Sequence, residues 1–137
     1  MRHTNRSKVR AGAAAVEFAI IAPLLFMIVF GIIEFGRMIM VQQILTNASR
    51  EGARRAIIED ATHAEVEQLV SNYLSDASVS GAAVTIEPGD LSNVGFGDRV
   101  SVTVAVPFDE VSWAGSAWFL GGSMLQADTI MQGERLQ

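Results

Sequence analysis

Few side chains in this sequence have the types and spacing that chemistry needs. His3 lies at the very start and His63 stands alone, so no two imidazoles share a metal-binding or acid–base spacing. There is no cysteine, which excludes disulfides, thiolate metal sites, a lipidated cysteine and cysteine nucleophiles. Gly95-Phe96-Gly97 lacks the strand-to-helix setting of a dinucleotide loop. Asp109-Glu110 reads as a solvated acidic pair, and Asp90 with Asp98 is a sparse carboxylate set for calcium. No active site emerges, no cofactor or metal is expected, and the chain does not read as an enzyme. The side chain whose place demands a chemical reason is Glu17. It follows Gly12 by five residues, near the amino end of the apolar stretch RAGAAAVEFAIIAPLLFMIVFGIIEFG, residues 10–36. A carboxylate in hydrocarbon costs on the order of 2.5–3.5 kcal/mol unless it has a partner.

The element carrying Glu17 is a long apolar helix. Phe18 to Ile33 is 16 residues without a charge, and from Ala13 the run is 21 residues interrupted only by Glu17. Twenty-one helical residues reach about 31 Å, enough for a hydrocarbon core of roughly 30 Å. A signal peptide would need a small-x-small cleavage pair after the run, yet Glu34-Phe35-Gly36-Arg37 follows Ile33. A buried soluble helix would need covering on every side, and 137 residues allow one domain. The retained membrane span is therefore favoured, in keeping with a 50% hydrophobic composition and a mean hydropathy of +0.31. Pro23 removes one amide donor from this helix and crowds the carbonyl of Ala19, so a local loosening is expected there. Charge sets the topology. Residues 1–12 hold Arg2, Arg6, Lys8 and Arg10 and no acid, whereas the remaining 6 basic residues face all 15 acids. A basic tip on an acidic body argues against nucleic acid, and for an amino end in the cytoplasm with the body outside.

Two readings of Glu17 follow. Its carboxylate either reaches headgroup water at the helix end, or it neutralises an α-amino group released at Ala13 by a cut after Gly12. Such an amine is positive below a pKa of about 8 and, on a neighbouring subunit, would fix the axial register of assembly. The residues Gly12-Ala13-Ala14-Ala15-Val16-Glu17-Phe18, between a basic leader and an apolar run, resemble the processing site of type IV pilin-like precursors. With Asn47-Ala48-Ser49-Arg50-Glu51-Gly52-Ala53-Arg54 they are similar to the TadE-type pseudopilins of the tight-adherence (Flp) pilus system, a likeness over residues 8–58. The resemblance implies a cut after Gly12 by a membrane prepilin peptidase, with Ala13, Glu17 and Phe18 completing the processing site. It further implies other pilins and pseudopilins, the inner-membrane assembly machinery and the lipid bilayer as partners, and a bacterial inner-membrane location with possible incorporation in a pilus. Major Flp pilins carry Glu-Tyr here and are far shorter, so the resemblance is to a minor component. The reading from another class is an uncleaved single-span protein whose outer domain binds an envelope partner.

Beyond the span the helix continues without a glycine or proline break after Gly36. Val41, Ile44, Leu45 and Ala48 fall at i, i+3, i+4 and i+7, one stripe that must bury itself on the chain's own carboxyl-terminal domain or on another subunit. To about Ile58 this makes a helix of about 46 residues, roughly 69 Å. Glu51 and Arg55 form an i, i+4 pair in the favourable order. Arg50, Glu51, Gly52 and Arg54 are either an ordinary solvated face or an inter-subunit docking patch, in which Gly52 admits another backbone.

Thr62-x-x-Glu65 is a capping box that starts a second helix, with Val66, Leu69, Val70, Tyr73 and Leu74 as its packing stripe and an end near Ser75. The period then changes to two. Val84 and Ile86 form a short strand; Val100, Val102, Val104 and Val106 form the clearest one; a last strand falls around Ser123 to Met131. Residues 88–98 are a turn-rich connection. Trp113, Trp118 and Phe119 either tuck onto the sheet or offer an aromatic contact to a neighbour or the membrane surface. The expected fold class is α+β: a long amino-terminal helix, a second helix and a three-stranded antiparallel sheet. The expected parts are a leader over 1–12, a span and stalk over 13–58 and a small extracytoplasmic domain over 59–137.

Overall fold

A computed structural model of the chain describes residues 5–113 and 121–133, with side chains from residue 12 onward. Arg2, His3, Trp118 and Phe119 lie outside the described residues, as do the side chains of Arg6, Lys8 and Arg10. The first helix, α1, is Asn5–Ala56, 52 residues, and it includes Pro23. It begins eight residues before the expected Ala13. Nothing between Asn5 and Gly12 stops a helix: there is no proline, and Arg, Lys and Ala all favour it. Gly12 disfavours the helix by about 1 kcal/mol, too little to break it inside a long cooperative segment. The chain divides into two compact units, Met1–Phe35 and Gly36–Gln137. In the first, the large apolar side chains from Val16 to Ile33 are exposed all round the helix.

The second unit contains the rest of α1, helix α2 (His63–Asp76) and three strands. The α1 stripe is buried within the unit itself: Val41, Leu45, Ala48, Ala53 and Ala56 are fully covered and Ile44 is half-buried. That settles the earlier alternative for these residues, because the cover comes from the chain's own α2 and sheet. Thr62 caps α2, accepting from the Glu65 amide while the Glu65 carboxylate accepts from the Thr62 amide. Val66, Val70 and Leu74, a single i, i+4 row, are buried. Tyr73, expected on the same stripe, lies at its flank and is 38% exposed. A stripe over 14 residues has one central row, and residues in the adjoining i+3 row reach its margin.

Strands β1 (Ala83–Glu87), β2 (Arg99–Pro107) and β3 (Met124–Gln132) form an antiparallel sheet in the order β1-β2-β3. Ile86 pairs with Val102 and Val104 with Ala127. The alternation in β2 places Val100, Val102, Val104 and Val106 on the fully buried face. On the other face Ser101 and Thr103 donate to Asp128 Oδ1 at 2.6 and 3.1 Å. A four-residue helix, α3 (Phe108–Val111), follows β2 and was not expected. Phe108 and Val111 plug the base of the core while Asp109 and Glu110 face solvent, an i, i+3 pattern too short to register as a period.

Candidate functional site

The residues singled out for processing share the exposed amino-terminal part of α1. Gly12 is exposed, and a Cβ built on it meets nothing within 4 Å. Val16 and Phe18 are 61% and 68% exposed, and Glu17 is exposed between them. Ala13 and Glu17 stand one turn apart at i, i+4, on the same face. The 18-residue apolar window that follows has a mean hydropathy of 2.6 and is only 6% buried, so the helix is long and apolar enough to cross a membrane. A helix apolar on every side with no protein over it is the form that a span takes.

The four residues read as a docking patch are separated by the fold. Arg50, Glu51 and Arg54 are exposed, whereas Gly52 is buried. The close neighbour expected of Gly52 belongs to its own chain: a Cβ there would meet Val70 Cγ2 at 2.6 Å and Val102 Cγ1 at 3.1 Å. Nor does Arg55 take the expected partner, Glu51. Its Nη2 donates to Glu65 Oε2 at 2.8 Å, tying the end of α1 to the start of α2. The capping box has already fixed that carboxylate, so Arg55 orders one long side chain rather than two to make the bond. Glu51, Arg55, Glu65, Leu69, Tyr73 and Asp76 line a shallow groove between the two helices.

Polar contacts that the sequence did not announce set the register of α1 on the sheet. Arg37 Nε donates to the Val111 carbonyl at 3.0 Å, and its guanidinium lies 5.3 Å from the centre of the Trp113 ring. Gln42 donates to the Gln126 carbonyl at 2.8 Å, and the hydroxyls of Ser49 and Thr129 are 2.8 Å apart. Ser49 is fully buried and sits beside Ala48 on the stripe, a small polar residue on an apolar face; that was the available signal. For Arg37 it was its place as the first cation after Arg10.

The loop acids serve the loop itself. Asp90 accepts from the Ser92 hydroxyl, the Ser92 amide and the Asn93 side chain, and Asp98 accepts from the Gly95 amide. The Ser92 hydroxyl, followed by the Ser92 amide, holds the Asp90 carboxyl below its ordinary value. His63 Nδ1 lies 3.8 Å from Glu67 Oε2 in the first turn of α2, a spacing that becomes an ion pair when the imidazole is protonated. Among the described residues no three His, Asp or Glu side chains are grouped to hold a metal ion.

Compared with known families, residues 12–54 match the TadE-like protein family. The match starts at Gly12 and ends at Arg54, so the resemblance read from the Gly12–Phe18 segment, the apolar run and the Arg50–Arg54 stretch stands. The match is to a family of pilus-associated proteins and lies within α1, under a third of the chain. No curated protein and no solved structure matches the chain.

Proposed function

We propose that this chain is a pseudopilin of a tight-adherence pilus system, inserted in the inner membrane with its amino end in the cytoplasm. A prepilin peptidase removes residues 1–12, and the mature chain joins other pilins or pseudopilins through its apolar helix. The observation that carries the reading is the family match beginning at Gly12, followed by an exposed apolar helix with Glu17 five residues on. The chemistry of each residue fits its assigned part. Gly12 gives the peptidase a bare backbone, and it is the residue at which α1 opens with least loss of helix stability. Ala13 then carries the new ammonium group, and Glu17, exposed to lipid in an isolated chain, gains a partner when that group comes from a neighbour. Phe18 completes the processing site, and its exposed ring offers a packing surface to another span.

Arg50, Glu51 and Arg54 are exposed on the far part of α1 and form the second assembly surface in this proposal. Gly52 contributes indirectly, by seating the helix on α2 and β2 so that those three side chains project outward. Amino-terminal sequencing of the protein purified from membranes of cells holding the peptidase tests the proposal. The expected first residue is Ala13. A chain that still begins at Met1 overturns it and leaves the uncleaved single-span reading.

A further inference from the structure

The far part of α1 carries two surfaces of opposite charge. Arg50 and Arg54 stand one turn apart and are exposed on the same face of the helix. Among the described residues neither has an ion pair. Glu51 lies about 100° round the helix from Arg50 and belongs instead to the groove between α1 and α2.

The α2 wall of that groove is a single stripe. Glu65, Gln68, Leu69, Asn72, Tyr73 and Asp76 follow at i, i+3, i+4, i+7, i+8 and i+11, beside the buried row of Val66, Val70 and Leu74. Leu69 is half-buried and the Tyr73 ring is exposed, so apolar surface lies between the acids. Of the charged groups in the groove, Glu51, Glu65 and Asp76 are acids, and the one cation, Arg55, is bonded to Glu65. Among the described residues no ion pair balances Glu51 or Asp76. An arginine suits both features of this groove. Its stem covers apolar surface, and its guanidinium stacks on a tyrosine ring and bonds a carboxylate.

We infer that Arg50 and Arg54 of one copy of this chain seat in the α1–α2 groove of a second copy, with their stems on Leu69 and Tyr73 and their guanidinium groups at Glu51 and Asp76. Charge selects a second copy as the occupant, since two cations without a partner on one surface match two acids without one on the other. Arg50, Glu51 and Arg54 also share one stretch of α1, so copies standing side by side with parallel helices bring the two surfaces level. The surfaces lie on different flanks, so one copy uses both at once and the contact repeats from copy to copy. The inference rests on the pseudopilin reading and names the partner of its second assembly surface.

The test follows energy transfer between donor- and acceptor-labelled full chains in detergent at low salt. Arg50→Glu with Arg54→Glu reverses one surface, and Glu51→Arg with Asp76→Arg reverses the other. Each variant by itself should associate on the order of tenfold more weakly than wild type, because attraction becomes repulsion at two places. Mixed together, the two variants should regain wild-type association, which misfolded chains could not do. Wild-type association should weaken as salt rises. The contact is overturned if either variant alone associates as wild type does, if mixing restores nothing, or if wild-type association ignores salt. Wild-type chains that do not associate overturn it as well, and leave the groove to a different protein. Amino-terminal sequencing of the cellular protein keeps this inference apart from the pseudopilin reading. Charge reversal and rescue in a chain that still begins at Met1 uphold the contact and remove that reading. A start at Ala13 with neither variant impaired does the opposite.

Discussion

Gly52 and Val70 pack so closely that a methyl group on the glycine would lie 2.6 Å from Val70 Cγ2. Valine is stiff about χ1, and Val102 Cγ1 closes the other side at 3.1 Å, so the neighbours have little room to yield. Gly52→Ala therefore sets an overpacking cost of about 1–3 kcal/mol against about 1 kcal/mol of regained helix propensity. Urea unfolding of the full chain in detergent should show a net loss of up to about 2 kcal/mol. Val70→Ala should make the glycine substitution less harmful, because it removes the atom in the way. A stabilising Gly52→Ala, as at an open helix position, would contradict this packing.

The hydroxyl pair of the buried Ser49 and the half-buried Thr129 yields a second prediction. Ser49 Oγ donates to the Thr46 carbonyl at 3.0 Å, which leaves Thr129 as the donor to Ser49. Ser49→Ala and Thr129→Val should each cost about 1 kcal/mol. The double variant should cost about as much as either alone, because neither hydroxyl is then left without its mate. Strict additivity in the same unfolding assay would mean that the two hydroxyls are not coupled.

At the start of α2, Thr62→Ala removes the acceptor for the Glu65 amide and should cost about 1 kcal/mol. Thr62→Ser should restore most of that loss. The bridge from Arg55 is part-exposed, with 28% and 55% of its two side chains accessible, so Arg55→Ala should lose well under the loss for a buried pair, and salt should reduce it further. If Arg55→Ala proved the more damaging of the two, the bridge rather than the cap would be what secures this corner.

Where a feature is local and periodic, it is legible in the residues. The four valines of β2 declare a strand by their spacing, Thr62 and Glu65 declare a helix start, and Val41, Leu45 and Ala48 declare a buried face. The family segment could be read because it is a linear pattern in which a glycine, an acid and a length of apolar chain are all that count. The remainder depends on what the chain brings together from a distance. Nothing near Arg55 says that Glu65, ten residues on, will be preferred to Glu51. Gly52 invites a close neighbour without saying whose. α3 is too short to show a period, and Tyr73 sits one row off the centre of a stripe whose width only packing decides. The early start of α1 is a different case, since a helix stops where something stops it and residues 5–12 hold nothing that does.

The loop from Pro88 to Asp98 should respond to acid. Hydrogen bonds from Ser92 lower the Asp90 carboxyl below its ordinary value of 3.8, so as pH falls the unfolded chain takes up this proton before the folded one does. The contribution of Asp90 is therefore complete above the unfolded value and is lost as pH drops through the lower, folded one. Protection of the Ser92 amide against hydrogen exchange, corrected for intrinsic rate, should be high at neutral pH and fall in acid below the usual carboxylate range. Asp90→Asn should make that protection insensitive to pH. A wild-type loop equally protected on both sides of the transition would rule out this carboxylate as its latch.

Cutting and assembly make different demands on the amino end of α1, and two substitutions separate them. Gly12→Val places a branched side chain where the peptidase must approach backbone, although the helix itself has open space there. The expected product is a folded, membrane-inserted precursor that keeps its leader, seen as the full mass of the chain. Glu17→Ala leaves the cut site unobstructed and removes a lipid-exposed acid, so insertion should be undisturbed and the amino terminus should still be Ala13. What it removes is the partner of that new ammonium, and mature protein should then remain in the membrane while pili are lost. Glu17→Gln distinguishes charge from hydrogen bonding, because it keeps the side-chain shape and a carbonyl acceptor but cannot balance a positive charge. Pili formed at wild-type levels by Glu17→Ala would remove the electrostatic reason for an acid at this position, even if processing occurred as expected.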